Sequence, residues 1–426
     1  MTPAEARTFL ESRSQLGMRF GLDRMKRTLD ALGRPERRMR VLHVAGTNGK
    51  GSTCAFAASI LRAAGLRVGL YTSPHLVRMN ERIQVDGVDI SDEDQARGVE
   101  ALLAACPWAA DPADPLTFFE VDTAIALWHF AQRSVDVAVL EVGLGGRLDA
   151  TNAIERCDVS AITRIGLDHT KLLGDTLAAI AGEKAGIFKA GAHAVIARQE
   201  SEALEVLVGA AEQGARSVLV AARDFGLGGE AQPYTFDTHD GRAIPDLRLS
   251  LLGPHQRENA ETAVQAALLV EPALEARAIR TGLASTLWPG RLEVVRSSPL
   301  TILDGAHNPD GARTLAQAMA QVFPGKRIHF VFGVLGDKDV HGVASRLVPL
   351  AAHLWLASPE SERALPVEGL AKLVAPMGVP ATTYPSIAAA LDAATAAASA
   401  EGEGSLVLVA GSLYVVGEAK AHLAVG

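Results

Sequence analysis

The hydrophobic residues of this chain fall into two kinds of segment that alternate from end to end. Short apolar runs rich in β-branched residues are typical of buried strands, and longer runs rich in Ala and Leu are typical of helices. Their alternation predicts an α/β fold built on a mostly parallel sheet. In the earlier part of the chain, the predicted strands are residues 41–45, 67–71, 135–142, 159–165 and 194–197. The predicted helices there are residues 52–64, 119–132 and 200–213.

One segment departs from this rhythm. Residues 224–248 are rich in Gly, Asp, Pro and Thr, and they carry short alternating apolar and polar pieces. This pattern predicts a small antiparallel excursion from the main sheet. Helices are expected again at residues 259–270 and 274–287.

The dipeptide Pro289-Gly290 marks a break, after which the β/α rhythm starts afresh. The sequence therefore predicts two domains, residues 1–290 and a smaller Rossmann-like domain at residues 291–426. Ligands of such folds usually bind at the carboxyl ends of the strands. The second domain is predicted to contain strands at residues 301–303, 327–332, 353–357 and 405–409, with helices at residues 311–322 and 386–398.

The composition of the 426 residues narrows the class of protein. Apolar residues make up 48% and charged residues 21%, so each domain can form a core. A net charge of −8 argues against a surface that binds nucleic acid or anionic membranes. Because residues 1–7 lack the layout of a secretory signal and no stretch resembles a membrane span, we predict a cytoplasmic protein. Cys54, Cys106 and Cys157 lie far apart, so we expect buried thiols rather than a zinc site or disulfides.

A glycine-rich turn follows the first predicted strand and precedes a helix. It reads Gly46-Thr47-Asn48-Gly49-Lys50-Gly51-Ser52-Thr53. Strand, turn and helix in this order predict a phosphate-binding loop, because backbone N–H groups and the positive helix start face an anion. Lys50 then reaches the β- and γ-phosphates of a nucleotide, and the hydroxyl of Ser52 or Thr53 ligates Mg²⁺. Gly51 makes the motif a variant of the strict pattern, and a glycine turn without a ligand is the alternative.

This loop resembles that of the Mur ligase superfamily, in particular its folylpolyglutamate synthase/dihydrofolate synthase branch. Further matches follow in order along nearly the whole chain. They are YTSPHL (71–76), LTFFE (116–120), LEVGLGGRLDATN (140–152), LDHT (167–170), GEKAGI (182–187), PGR (289–291), DGAHNP (304–309), DKD (337–339) and GSLY (411–414). The resemblance implies an ATP-dependent ligase that adds L-glutamate to a folate through an acyl phosphate. The pterin-side residues fit dihydropteroate as a substrate equally well.

The resemblance also implies an ATP site and two Mg²⁺ sites. Glu141 ends a strongly apolar strand, where a carboxylate supplies the oxygen ligands that a hard cation needs. By resemblance, Ser73, Glu141 and His169 hold the second Mg²⁺. From the residues alone, Ser73 is equally a turn serine, and His169 is an ordinary polar residue because imidazole is an unusual Mg²⁺ ligand. The ATP-contacting residues implied are Thr47, Asn48, Gly49, Lys50, Gly51, Ser52, Asn259, Arg291 and Asp304.

Lys184 is by default a solvated helix lysine. The resemblance implies instead that Lys184 is carbamylated and supports the metal site, which requires a lowered pKa because CO₂ adds only to the neutral amine. By resemblance, His307 and Ser412 lie near the incoming glutamate, and His307 or water takes the proton of its amine. The candidate catalytic residues are therefore Lys50, Lys184 and His307. The folate-side candidates are Asp23, Arg24, Phe118, Asp149 and Asn152, although Phe118 is equally a core aromatic.

Two other classes of function stay open at this stage. A P-loop ATPase or kinase with a regulatory second domain explains residues 46–52 but leaves residues 149–152 and 304–309 unexplained. A nucleotide-binding module without catalysis requires Glu141, His169 and Lys184 to be incidental. The peptidoglycan ligases of the superfamily carry a UDP-sugar domain before the loop, and the position of Gly46 favours the folate branch. The family is usually monomeric, so we expect a monomer whose partners are small molecules.

Overall fold

The computed structural model describes residues 1–17, 19–111 and 113–425, which divide into two compact units. The first unit comprises residues 1–250 and 257–286, and the second comprises residues 251–256 and 287–426. Among the described residues, no helix is long and apolar enough to cross a membrane.

Helices and strands alternate through the first unit. Its helices are α1 (Pro3–Ser14), α2 (Asp23–Ala31), α3 (Lys50–Ala63), α4 (Asp92–Ala105), α5 (Phe118–Gln132), α6 (Thr170–Leu173), α7 (Leu177–Ala185), α8 (Ser201–Ala211), α9 (His255–Val270) and α10 (Ala276–Ser285). Its strands are β1 (Arg40–Ala45), β2 (Val68–Tyr71), β3 (Ile83–Val85), β4 (Val88–Asp89), β5 (Val137–Glu141), β6 (Val159–Ile162), β7 (His193–Ile196), β8 (Ser217–Val220), β9 (Gly226–Gly228), β10 (Tyr234–Asp237) and β11 (Ala243–Leu247).

The main sheet of this unit has the strand order β4-β3-β2-β5-β1-β6-β7-β8. Every neighbouring pair from β2 to β8 is parallel, while β3 and β4 pair antiparallel at one edge. The central strands are buried along their length because helices cover both faces of the sheet. The order places the loops that follow β2, β5, β1 and β6 side by side at the carboxyl edge.

The prediction of a mostly parallel α/β fold is confirmed, and so is the antiparallel excursion, since β9, β10 and β11 form a three-stranded antiparallel sheet. The predicted strand at residues 159–165 is wrong at its end, because β6 stops at Ile162. Beyond it, the Thr163 hydroxyl donates to the Asn48 carbonyl at 2.8 Å. The apolar run thus continues into a loop whose polar groups bind the glycine-rich turn.

The second unit repeats the α/β arrangement on a smaller scale. Its strands are β12 (Glu293–Ser297), β13 (Leu300–Asp304), β14 (Arg327–Phe332), β15 (Ala351–Leu356), β16 (Ala381–Thr383) and β17 (Ser405–Ala410). Its helices are α11 (Pro309–Val322), α12 (Val340–Leu347), α13 (Val367–Val374), α14 (Ile387–Glu401) and α15 (Leu413–Val425). The sheet order is β12-β13-β17-β14-β15-β16, with only the β12–β13 pair antiparallel among the described pairings. The carboxyl ends of β13 and β17 are therefore neighbours.

Candidate active site

The glycine-rich turn runs from the end of β1 to the start of α3 and is held by close contacts that only glycine permits. A Cβ atom on Gly46 would lie 1.8 Å from the Thr163 hydroxyl oxygen. Gly49 has a φ of 88°, and a Cβ there would lie 2.1 Å from the Asn259 side-chain oxygen. Asn259, a candidate ATP contact, is thus packed directly against the turn.

Helix α3 offers its first N–H groups at this turn. The first intrahelical bond shown runs from the Thr53 N–H to the Gly49 carbonyl, so the N–H groups of Lys50, Gly51 and Ser52 precede it. The N–H groups of Thr47 and Asn48 are already hydrogen-bonded within the protein, because both donate to the Arg164 carbonyl, at 3.0 and 3.3 Å. The donors available to a phosphate therefore come from the helix start rather than from these two residues.

Two of the proposed metal ligands are joined directly. Glu141 ends β5 and is 4% exposed, and its Oε2 accepts the Ser73 N–H at 3.0 Å. Ser73 follows β2, the parallel neighbour of β5, and precedes the cis peptide bond to Pro74. Ser52 lies in the first turn of α3, and β1 pairs with β5 at Val44 and Glu141. Oxygen donors thus converge beside the glycine-rich turn.

His169 lies in the loop that follows β6. It has a φ of 51° and precedes α6, and its N–H donates to the carboxylate of Asp168 at 2.8 Å. The same loop is tied to the glycine-rich turn, because the Thr47 hydroxyl donates to the Gly166 carbonyl at 3.0 Å. His169 is therefore carried by a segment that is fixed against the turn.

Lys184, near the end of α7, is buried rather than solvated, with 4% of its surface exposed. Burial is the main cause that lowers the pKa of its ammonium group to about 7, and the charge of Lys50 lowers it further. The carboxylates of Asp168 and Asp149 act in the opposite direction. Lys184 thus lies near charged groups from three loops at the carboxyl edge, and the default expectation of a solvated lysine is wrong.

Within the described ranges 1–17, 19–111 and 113–425, no three or more His, Cys, Asp or Glu side chains are arranged to hold a metal ion. Mg²⁺ in nucleotide sites typically takes one or two carboxylates from the protein and its other ligands from water and phosphate. Glu141 and Ser73 fit that preference for the second Mg²⁺, because they offer one carboxylate and one hydroxyl.

Asp149 and Asn152, proposed on the folate side, also organise their own loop. The Oδ1 of Asp149 accepts the Thr151 N–H at 3.0 Å and the Thr151 hydroxyl at 2.6 Å. Its Oδ2 accepts the Leu144 N–H at 2.9 Å. Asn152 donates through Nδ2 to the carbonyls of Arg147 and Gly186, each at 3.0 Å. Both side chains are therefore held rigidly before any ligand arrives.

The amino-terminal candidates differ in exposure. Asp23 begins α2 and is exposed. Arg24 is ion-paired with the buried Glu120 at 3.0 Å. Phe118 begins α5 and carries the guanidinium of Arg82 over its ring, 4.9 Å from the centroid.

A buried polar cluster beside Phe118 was missed by the sequence reasoning. Arg82 is 9% exposed; it donates to His75 Nδ1 at 2.8 Å and lies 3.6 Å from the carboxylate of Asp122. Burial raises the pKa of Asp122 to about 6, against the opposing charge of Arg82. The Tyr71 hydroxyl donates to the same carboxylate at 3.1 Å. The one signal in the sequence is Asp122, a charged residue inside the largely apolar helix α5.

In the second unit, Asp304 ends β13 and is 6% exposed. Its two oxygens accept the N–H groups of Leu292 and Ala306, each at 2.9 Å. Burial raises the pKa of this carboxyl group, and the nearby charge of Arg291 lowers it. A Cβ atom on Gly305 would lie 2.2 Å from the Arg291 guanidinium. Arg291 and Asp304 are therefore brought together by one tight turn.

His307 and Ser412 follow the neighbouring strands β13 and β17. The Nδ1 of His307 lies 2.8 Å from the Gly305 carbonyl, which can only accept a hydrogen bond, so Nδ1 carries a proton. In a neutral ring, Nε2 then holds the lone pair. Ser412 is buried and its hydroxyl accepts the Val415 N–H at 3.2 Å at the start of α15.

A separate cavity of about 580 Å³ lies at the opposite edge of the main sheet, beside the amino ends of β1, β5 and β6. Arginines dominate its lining, but Arg37 is paired with Glu155 at 2.6 Å and Arg40 with Glu271 at 2.9 Å. Its position at the amino ends of the strands excludes it from the candidate site, which lies at their carboxyl ends.

Comparison with known proteins agrees with this geometry. Residues 44–267 match the Mur ligase middle domain, and residues 290–413 match the Mur ligase glutamate ligase domain. The dihydrofolate synthase/folylpolyglutamate synthase of Bacillus subtilis is 38% identical over 432 residues, covering 98% of each chain.

The solved structures that resemble this chain are of the same kind of protein. Escherichia coli FolC in complex with DHPP and ADP has a TM-score of 0.91 and 34% identity, covering 100% of this chain and 98% of that one. The bifunctional folylpolyglutamate synthase/dihydrofolate synthase of Yersinia pestis, complexed with AMPPNP and a Mn ion, has a TM-score of 0.88 and 34% identity, with the same coverage. The chain therefore belongs to the dihydrofolate synthase/folylpolyglutamate synthase family of Mur ligases.

Proposed function

We propose that this protein is an ATP-dependent ligase that joins the carboxylate of a folate, or of dihydropteroate, to the amino group of L-glutamate. The observation that carries the proposal is the placement of Lys50 and Glu141 at the carboxyl ends of the adjacent parallel strands β1 and β5, with the charge of Lys50 acting on the buried Lys184. The ammonium groups of the buried Lys184 and the partly buried Lys50 disfavour each other's charge, and this arrangement is unfavourable without an anionic ligand. A triphosphate supplies the missing negative charge.

The nucleotide phosphates bind at the start of α3. The N–H groups of Lys50, Gly51 and Ser52 donate to phosphate oxygens, and the ammonium group of Lys50 turns from the Thr47 carbonyl, 3.2 Å away, towards them. Asn259 contacts the nucleotide from α9, where it is packed against Gly49. A carboxylate is a poor electrophile, and phosphoryl transfer to it depends on positioning and charge neutralisation.

Ser52 would hold one Mg²⁺ ion at the phosphates, and Ser73, Glu141 and His169 would hold a second. When bound, they neutralise the charge that develops on the transferred phosphoryl group. The protein prepares the second position by fixing Ser73 against Glu141 before any ligand is present.

Lys184 is carbamylated in the active protein. Its neutral amine adds CO₂ to form a carbamate and release one proton. A pKa of about 7 leaves roughly half of such groups neutral at pH 7, which favours the reaction. The carbamate replaces a buried positive charge beside Lys50 with a negative one. ¹³C NMR of protein equilibrated with ¹³C-bicarbonate should show one carbamate carbon, and Lys184→Met should lack it.

The remaining groups bind the two substrates. Asp149, Asn152, Phe118, Asp23 and Arg24 lie on the folate side, where the carboxylate of Asp149 accepts N–H donors of the pterin ring. His307 and Ser412 bind the incoming glutamate. Nδ1–H of His307 is donated to the Gly305 carbonyl, and His307 or water takes the proton of the attacking amine. Attack on the acyl phosphate gives a tetrahedral intermediate that expels phosphate.

ADP release tests the proposal. We expect release to require a folate or dihydropteroate and L-glutamate together, in equimolar amount with the amide product. Lys50→Ala should reduce the rate by on the order of a thousandfold, because a cation at the transferred phosphate is lost, while its circular dichroism stays unchanged.

A rate of ADP release that ignores glutamate would refute the ligase assignment. It would favour the alternative of a P-loop ATPase or kinase with a regulatory second domain. Normal turnover by Lys50→Ala would remove the phosphate loop from the mechanism.

A further inference from the structure

A fully buried histidine lies behind the folate-side loop and is not used in the mechanism above. His43 is on β1, three residues before Gly46, and is 0% exposed. Its Nε2 lies 2.8 Å from the hydroxyl oxygen of Thr151, which is also fully buried. That hydroxyl lies 2.6 Å from the Oδ1 of Asp149. A continuous chain of hydrogen bonds therefore links the strand of the phosphate loop to Asp149.

The direction of each hydrogen bond follows from its chemistry. Oδ1 of Asp149 accepts the Thr151 N–H at 3.0 Å, and the single proton of the Thr151 hydroxyl is donated to the same oxygen. The hydroxyl oxygen must then accept from His43, which fixes the proton of the neutral ring on Nε2. Burial lowers the pKa of His43 to about 3, with the charge of Lys189 acting in the same direction, so the ring is neutral at pH 7.

This tautomer leaves the Nδ1 of His43 as an acceptor that finds no hydrogen-bond partner among the described residues. A buried acceptor without a partner is destabilising, and an apolar side chain of similar size would avoid that penalty. Stability alone thus gives no reason for a histidine at this position. The hydrogen bond that Nε2–H donates to Thr151 provides such a reason.

We infer that His43 is a positioning residue for the substrate-side carboxylate, acting through Thr151 to fix the orientation of Asp149 towards the pterin ring. The inference rests on the proposed function in that it takes Asp149 as a pterin contact. The hydrogen bond from His43 directs the Thr151 hydroxyl to Oδ1 of Asp149, and the N–H groups of Thr151 and Leu144 hold the rest of the carboxylate. Asp149 then presents one fixed set of lone pairs to the substrate.

Substitution at His43 should separate this role from a structural one. His43→Leu removes the donor and should raise KM for dihydropteroate on the order of tenfold, as expected for loss of one hydrogen bond to a charged network. KM for ATP should change less than twofold, although β1 leads directly into the phosphate loop. His43→Gln places an N–H donor where Nε2 was and should restore KM, whereas His43→Asn, whose amide reaches only the position of Nδ1, should not.

Ser160→Ala is the matched control. Ser160 pairs in register with His43 on β6 and is equally buried, but its hydroxyl donates to the Ile187 carbonyl outside the chain of bonds. It should leave KM for dihydropteroate unchanged. An equal rise in KM for ATP in His43→Leu, or no rescue by His43→Gln, would overturn the inference and show a merely structural residue.

A measurement without turnover separates this inference from the proposed function. ¹⁵N NMR of histidine-labelled protein, assigned with His43→Gln, should show the His43 ring protonated on Nε2 only at pH 7. Thr151→Val should shift that signal. A ring protonated on Nδ1 overturns the relay even if the ligase activity is found, whereas absence of ligase activity with the Nε2–H tautomer present refutes only the proposed function.

Discussion

At the scale of single residues, Lys184 shows how burial changes the chemistry of a common side chain. Its ammonium group lies among Lys50, Asp168 and Asp149, with little access to water. The sequence shows a lysine in a helix, and only the packing of α7 against the loops at the carboxyl edge reveals a pKa near neutrality. The same packing brings the titration of Lys184 close to neutral pH.

The stability of the protein should therefore depend on pH through Lys184 when CO₂ and metal are absent. The folded pKa is about 7 and the unfolded one about 10.5, so the unfolded chain binds more protons between these values. The free energy of unfolding should consequently rise with pH from 7 to 10.5, by at most ~1.4 kcal/mol per pH unit. Chemical denaturation of wild type and Lys184→Met should show this slope in the wild type alone, and parallel pH curves would contradict it.

At the scale of elements, the turn between β1 and α3 depends on two glycines that have no side chain. Gly46 approaches Thr163 and Gly49 approaches Asn259 so closely that no side chain fits at either position. These contacts join the turn to the loop after β6 and to α9. The phosphate loop is thus part of a rigid assembly of three elements.

Gly46→Ala should test this assembly. Its Cβ would overlap the Thr163 hydroxyl and press on the Thr163 N–H at 3.1 Å, so the loop must shift. We expect a loss of ~1–3 kcal/mol in the free energy of unfolding and loss of ADP release. Gly209→Ala, in α8 with nothing within 4 Å of the added atom, is the matched control and should raise stability by ~0.5–1 kcal/mol. Equal behaviour of the two variants would contradict the close packing.

The sequence predicted the bounds of an element correctly where its apolar residues continue to its last position. The strand at residues 327–332 was predicted with the bounds of β14, because buried residues run to its last position. The strand at residues 159–165 was predicted too long, since the Thr163 hydroxyl donates to the Asn48 carbonyl and the Arg164 carbonyl accepts the Thr47 and Asn48 N–H groups, all in the glycine-rich turn. The spacing of apolar residues indicates which positions are buried. It does not indicate which hydrogen-bond partner a polar group in a loop will have.

The candidate site was predictable to the extent that its residues lie in recognisable motifs. Ser73, Glu141 and the loop residues came from such motifs, and the structure joins Ser73 to Glu141. Arg82 and Asp122 lie inside a 3₁₀ helix and a helix, and nothing in their spacing indicates that they pair. Long-range ion pairs of this kind follow from the fold, which the sequence pattern determines only at the level of strand and helix order.

At the scale of the whole molecule, both units use the same arrangement. Each places its polar candidates at the carboxyl ends of adjacent parallel strands, after β2, β5, β1 and β6 in the first unit and after β13 and β17 in the second. Parallel sheets bury their faces under helices, so the strand ends are where polar side chains reach a ligand. The similarity to bifunctional relatives extends over nearly the full length of both chains.

One folate pocket should therefore serve both acceptors. We expect tetrahydrofolate and dihydropteroate each to support glutamate-dependent ADP release, and each to inhibit turnover of the other competitively. Asp149→Asn should raise KM for both by a similar factor, because the pterin ring is common to them. Steady-state kinetics with mixed acceptors measures this, and additive rates at saturation would indicate two separate pockets instead.

The most direct test of the mechanism follows the carboxylate oxygen. Dihydropteroate labelled with ¹⁸O in its carboxyl group should be incubated with ATP, Mg²⁺ and L-glutamate, and the inorganic phosphate analysed by mass spectrometry. An acyl phosphate intermediate transfers one carboxylate oxygen to phosphate when the glutamate amine attacks, so each phosphate released should carry one ¹⁸O atom. Unlabelled phosphate would show that water, not the carboxylate, attacks ATP, and would contradict the account.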